Sequence, residues 1–151
     1  MKLKKGVSKV LAGESRFYGY LLFLDINGFT ALTEKHMSGE YSGAERVSEI
    51  LNSIFKPIIK IIYSHGGIVS GFAGDAISAV FKTDDAKKTV ICANEIIKKT
   101  DGKIISGIRI KIAVIDGEIK TKSFNDRKKK IYFFDGKPFR DLEKATRFIT
   151  S

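Results

Sequence analysis

Apolar and polar positions alternate in blocks along this chain, and the blocks predict a short list of elements. Residues Phe17 to Ile26 form a mostly apolar run that closes on Asp25 and the turn residues Asn27 and Gly28, which reads as a buried strand. A helix is expected from Phe29 to Met37, with a break of small residues, SGEYSG, at 38–43. The strongest periodic signal follows. Val47, Ile50, Leu51, Ile54, Phe55, Ile58, Ile59 and Ile62 obey the i, i+3, i+4, i+7 rule, so one helix should run from Ala44 to His65 and stop at Gly66–Gly67, bent at Pro57. Ile68 to Phe72 and Ala76 to Lys82 read as two strands joined by Ala73–Gly74–Asp75. Asp84 and Asp85 should cap a helix from Ala86 to Lys99 that turns Val90, Ala93 and Ile97 inward. Strands follow at Ile108 to Ile115 and Glu118 to Lys122, split by the hairpin signal Asp116–Gly117. A charged tip, Asn125 to Lys130, leads to a last strand, Ile131 to Phe134, and a closing helix, Phe139 to Ile149.

The order, βαββαβ with a doubled first helix, matches a split βαβ: an α+β, ferredoxin-like arrangement with a mostly antiparallel sheet. Residues 1–15 read as a polar N-terminal arm and 16–151 as one domain, possible as the fragment of a longer polypeptide. With 43% apolar and 29% charged residues, the chain has an ordinary globular balance and no stretch of about 20 apolar residues to span a membrane. Its single cysteine, Cys92, excludes an internal disulfide and fits a cytoplasmic location. A net charge of +10 predicts attraction to polyanions without choosing among nucleotides, nucleic acid and acidic membranes. His36 and His65 lie at helix ends without companions at ligand spacing, so surface or capping roles are expected.

The first strand delivers a carboxylate, Asp25, beside a fresh helix N-terminus, whose unpaired amides and partial positive charge suit phosphate oxygens. In a split βαβ that strand neighbours the hairpin bearing Asp75, so two carboxylates remote in the chain can converge. Hard oxygen ligands of that kind suit Mg²⁺ or Mn²⁺, and two such ions form a clamp for displacement at phosphorus. The bland alternative is a pair of turn aspartates that cap neighbouring backbone.

FLDINGFTALTE (23–34) and GFAGDAISAVF (71–81) are similar to the two metal-binding motifs of the class III nucleotidyl cyclases, the adenylate/guanylate cyclase catalytic domain. ERVSEILNSIF, between them, and FFDGKPFRDLEKATR (133–147) resemble that family's pattern at the corresponding places. The resemblance implies Asp25 and Asp75 as metal ligands, with the Ile26 carbonyl as a further one, and the amides of Asn27, Gly28, Phe29 and Thr30 around the β- and γ-phosphates. It implies Arg147 as the arginine that neutralises charge at the α-phosphate, a purine nucleoside triphosphate (ATP or GTP) cyclised by two metals in intracellular signalling, and a head-to-tail homodimer sharing its sites. Three positions depart from the pattern. The base-selecting position is Gly71, which has no side chain; the second base-reading position is Phe133, which can stack but not hydrogen bond; and the ribose-orienting position is Glu143, whose charge opposes a triphosphate. Two other readings therefore stay open. One is a cyclase-like domain without turnover that binds nucleotide or dimerises. The other, ranked last, is a basic ferredoxin-like RNA-binding module built on Tyr132, Phe133 and Phe134, so nucleic acid is not the expected partner.

Overall fold

The computed structural model describes residues 10–37, 43–100, 103, 107–126 and 129–149. Within them run β1 (Val10–Asn27), α1 (Phe29–Met37), α2 (Gly43–Ser64), β2 (Ile68–Ala73), β3 (Ala76–Phe81), α3 (Ala86–Thr100), β4 (Arg109–Asp126), β5 (Lys129–Gly136) and α4 (Lys137–Ile149). One antiparallel sheet has the order β2-β3-β1-β4-β5, so β1 lies between β3 and β4 as a split βαβ requires. The expected α+β architecture is present. The helix break at 38–42, residues 1–9 of the arm and residues 127–128 of the charged tip lie outside the described residues.

Alternation along β1 decides which face each helix covers. Leu22, Leu24 and Ile26 point one way and are buried with Ile77, Ala79 and Phe81 of β3, Ile54, Ile58 and Ile62 of α2, and Cys92 and Ile96 of α3. Leu21 points the other way, with Val80 and Ile119, and packs near Phe17, Phe134 and the α4 residues Phe139 and Leu142. Burial pushes the Cys92 thiol up to about 11, which leaves it a small apolar filler. No described helix is long and apolar enough to cross a membrane.

Along the apolar stripe of α2, Ile54, Ile58 and Ile62 are buried and Val47, Ile50, Leu51, Phe55 and Ile59 are partly buried, and Pro57 sits inside the helix without ending it. The helix stops where Gly66 takes φ +79° and the Gly67 N–H donates to the Ile62 carbonyl at 2.9 Å. Asp85 caps α3 by accepting the Lys87 N–H at 2.9 Å. His65, at the end of α2, pairs with Glu95 of α3 at 2.7 Å.

Three expectations are corrected. β1 begins at Val10 rather than Phe17, because it ladders with β4 back to Asn125. Asp116–Gly117 is not a hairpin turn: β4 runs through it unbroken, so five strands replace the expected six. The glycine serves close packing instead, since a Cβ there would lie 3.2 Å from the Pro138 ring at the start of α4. Finally, α3 buries Thr89, Cys92, Ala93, Ile96 and Thr100, leaving Val90 and Ile97 at 45% and 38% exposure. The stripe is rotated because threonines, counted as polar in the pattern, occupy buried positions.

Candidate metal and phosphate site

Asp25 is the third residue from the end of β1, opposite Ala76 of β3 on one side and Lys111 of β4 on the other. Asp75 precedes Ala76 in the tight Gly74–Asp75 turn, where Gly74 takes φ +61°. Neighbouring strands lie about 4.8 Å apart, so Asp75 is one residue along from Asp25's direct cross-strand partner. Both carboxylates are half-buried, and the Asp75 charge reaches Asp25. Asp25 is held above the ordinary carboxylate range first by burial and then by the Asp75 charge; Lys111 and the Ile26 amide pull it back.

The following residues build the rest of the corner. Ile26 buries its side chain in the core at 1% exposure, which fixes the backbone from which Asp25 projects. Asn27 ends the strand opposite Arg109. Gly28 takes φ +87°, and its carbonyl accepts the Leu32 N–H at 3.1 Å as α1 begins. A Cβ on Gly28 would stand 2.5 Å from the Gly107 carbonyl oxygen, so only glycine lets the loop before β4 approach this turn. Phe29 packs against the core, leaving exposed Thr30 in the first turn of α1 with its carbonyl bonded by the Thr33 hydroxyl at 2.7 Å. The first-turn amides of α1, like those of any helix start, lack intrahelical partners and favour anions.

The remaining sequence candidates are dispersed. Gly71 lies on β2 opposite Ser78, which in turn pairs with Phe23, on the sheet face that carries Asp25. Phe133 lies opposite Lys122, which pairs with Glu14, so it projects from the other face, at 50% exposure and edge-on to Phe124. Glu143 is exposed on α4. Arg147 lies on the same helix, its side chain outside the described residues.

Lys111 was missed by sequence reasoning. It sits in an alternating run, Ile110–Lys111–Ile112, that reads as an ordinary solvent-facing strand residue, and only the β1–β4 register sets it beside Asp25. Among the described residues no three His, Cys, Asp or Glu side chains gather. The side-chain donors at this corner are the two carboxylates, Asp25 and Asp75, and hard oxygen donors of that kind fit Mg²⁺ or Mn²⁺.

No family model matches the chain. Adenylate cyclase type 10 from Rattus norvegicus is 34% identical over 140 residues, covering 85% of this chain and 9% of that protein. The Homo sapiens form gives the same identity and coverage. The chain thus spans about a tenth of the length of these two relatives. Among solved structures, the adenylyl cyclase CyaB from P. aeruginosa superposes with TM-score 0.69 at 24% identity, covering 88% of this chain and 74% of that one. A class III adenylyl cyclase-like ATP-binding protein from Pseudomonas aeruginosa superposes with TM-score 0.69 at 19% identity, covering 91% and 32%. With the sequence motifs seated on that fold, the chain belongs to the class III nucleotidyl cyclase family.

Proposed function

We propose that this domain converts a purine nucleoside triphosphate to a 3′,5′-cyclic nucleotide and pyrophosphate. The observation that carries the reading is the meeting of Asp25, at the end of β1, with Asp75, in the β2–β3 turn. Asp25, Asp75 and the Ile26 carbonyl would hold Mg²⁺ or Mn²⁺. Such ions supply Lewis acidity: they favour deprotonation of the ribose 3′-hydroxyl and screen the triphosphate. The amides from Asn27 to Thr30 orient the β- and γ-phosphates, and Lys111 adds a cation on the same face. Arg147 is assigned to the charge that builds on the α-phosphate. The 3′-oxygen forms a bond to the α-phosphorus, the bond from that phosphorus to the bridging oxygen breaks, the hydroxyl proton goes to solvent, and pyrophosphate leaves. Sites completed by a second copy, head to tail, are supported by Phe133, a base-reading position that projects from the sheet face opposite Asp25.

A second reading is a nucleotide-binding or dimerisation module without turnover. It is favoured by Gly71, which offers nothing to a base, and by Phe133, which lies on the opposite sheet face from Asp25. Purified protein incubated with Mn²⁺ and ATP or GTP separates the two. Cyclic product that disappears in Asp25→Ala supports the enzyme; saturable binding of both nucleotides with no product supports the module. Light scattering that finds only monomer at every concentration contradicts shared sites.

A further inference from the structure

The sheet curls until its two edge strands, β2 and β5, come into contact range across the face that carries α4. Beneath them is a cavity of about 350 Å³, inside the range of small-molecule sites. Its walls are Phe17, Ile68, Val80, Tyr132 and Phe134, with Lys82, Ser15 and Thr121 as polar members. It is separate from the carboxylate corner: Phe17 and Asp25 are eight residues apart on one strand, roughly 26 Å at 3.3 Å per residue.

Two features give the cavity a chemical preference. The Thr121 hydroxyl is buried and, among the described residues, has no hydrogen-bond partner. A buried hydroxyl without a partner is costly, so a ligand acceptor would satisfy it. Lys82 lies 5.5 Å from the centroid of the Phe17 ring, and among the described residues no carboxylate pairs with it. Lys130, whose ammonium stands 5.6 Å from the Tyr132 ring centroid, lines a neighbouring depression and not this cavity. Aromatic walls with one cation, Lys82, and a hydroxyl seeking an acceptor suit one kind of guest.

We infer that this cavity is a binding site for a small planar, apolar molecule bearing one anionic group, stacked on Phe17, Tyr132 and Phe134 and held by Lys82 and Thr121. Phe17 and Phe134 pack on the same Leu21–Val80–Ile119 cluster as Phe139 and Leu142 of α4.

The test uses 8-anilinonaphthalene-1-sulfonate as the anionic probe and N-phenyl-1-naphthylamine as its neutral counterpart, titrated into the full chain by fluorescence. Saturable one-site binding of the sulfonate is expected, weakened roughly tenfold in Lys82→Met, while the neutral probe is unaffected by that change. Ser15→Trp should block both, and Tyr63→Ala, an exposed aromatic on α2, neither. Thr121→Val is expected to weaken sulfonate binding yet not lower the melting temperature of the ligand-free protein; a lower one would mean that the hydroxyl already has a partner. The inference is overturned if Lys82→Met leaves sulfonate affinity unchanged, or if binding survives Ser15→Trp with circular dichroism intact. It is equally overturned if binding falls as light scattering reports dimer, since a second copy would then be the occupant.

Discussion

Replacing Gly28 by alanine, with Gly66→Ala as its control, isolates a single contact at the base of the candidate site. Both glycines have nearly the same backbone, φ +87° and φ +79°, so both substitutions carry the left-handed penalty of about 1 kcal/mol. Their surroundings differ. Nothing lies within 4 Å of a Cβ at Gly66, whereas one at Gly28 would meet the Gly107 carbonyl oxygen at 2.5 Å. That oxygen belongs to backbone and cannot rotate away like a side-chain tip. Overpacking of this kind adds about 1–3 kcal/mol, bringing Gly28→Ala to roughly 2–4 kcal/mol. For a chain of this size, 1 kcal/mol lowers the melting temperature by about 2–4 °C. Gly66→Ala should therefore melt roughly 2–4 °C below the parent protein, and Gly28→Ala roughly 5–15 °C below it, by circular dichroism or calorimetry. Equal losses in the two variants would refute the reasoning, since they would mean that the loop before β4 does not press on the turn between β1 and α1.

Other outcomes follow from named contacts. Lys111→Met removes a cation beside Asp25 and should weaken binding of a metal–nucleoside triphosphate roughly tenfold or more, measured by calorimetry, since interactions with charged groups contribute about 1.5–3 kcal/mol; unchanged affinity would place the phosphates elsewhere. Gly71→Lys should fold without loss, because a Cβ there makes only an ordinary 3.5 Å contact with the Ser78 hydroxyl, and it should widen the preference between ATP and GTP in a competition assay. Lys99, and after it His65, hold the Glu95 carboxyl below the ordinary carboxylate range, so its stabilisation is complete at neutral pH and is lost as pH falls through that lowered value. Glu95→Gln should thus melt below the parent near pH 7, with a gap that narrows on acidification; a gap that widens on acidification would contradict this.

Much of the fold can be read from short-range pattern. The boundary at Gly28–Phe29, the stripe from Ile50 to Ile62, the Gly74–Asp75 turn and the Asp85 cap each announce themselves within a few residues, and the elements form where those signals stand. The misses share a cause: they depend on what another strand or helix does. Gly117 reads as a turn glycine because its sequence neighbours suit a hairpin; its real constraint is Pro138, which only the packing of α4 brings near. Thr89 and Thr100 are polar in any pattern yet face the core. The same limit governs the site. Asp25 and Asp75 follow from topology, since a split βαβ sets those strand ends side by side. Lys111 needs the residue-by-residue register, and Phe133 sits in a run of three aromatics whose faces alternate, so its direction depends on pairing with Lys122.

Joint binding of divalent cations by Asp25 and Asp75 is tested most directly by titrating Mn²⁺ into the protein with a non-hydrolysable nucleoside triphosphate while following the signal of free Mn²⁺ by electron paramagnetic resonance. Saturable uptake that is lost in both Asp25→Asn and Asp75→Asn, with the variants still folded, is the predicted result. Undiminished uptake in either variant would contradict it.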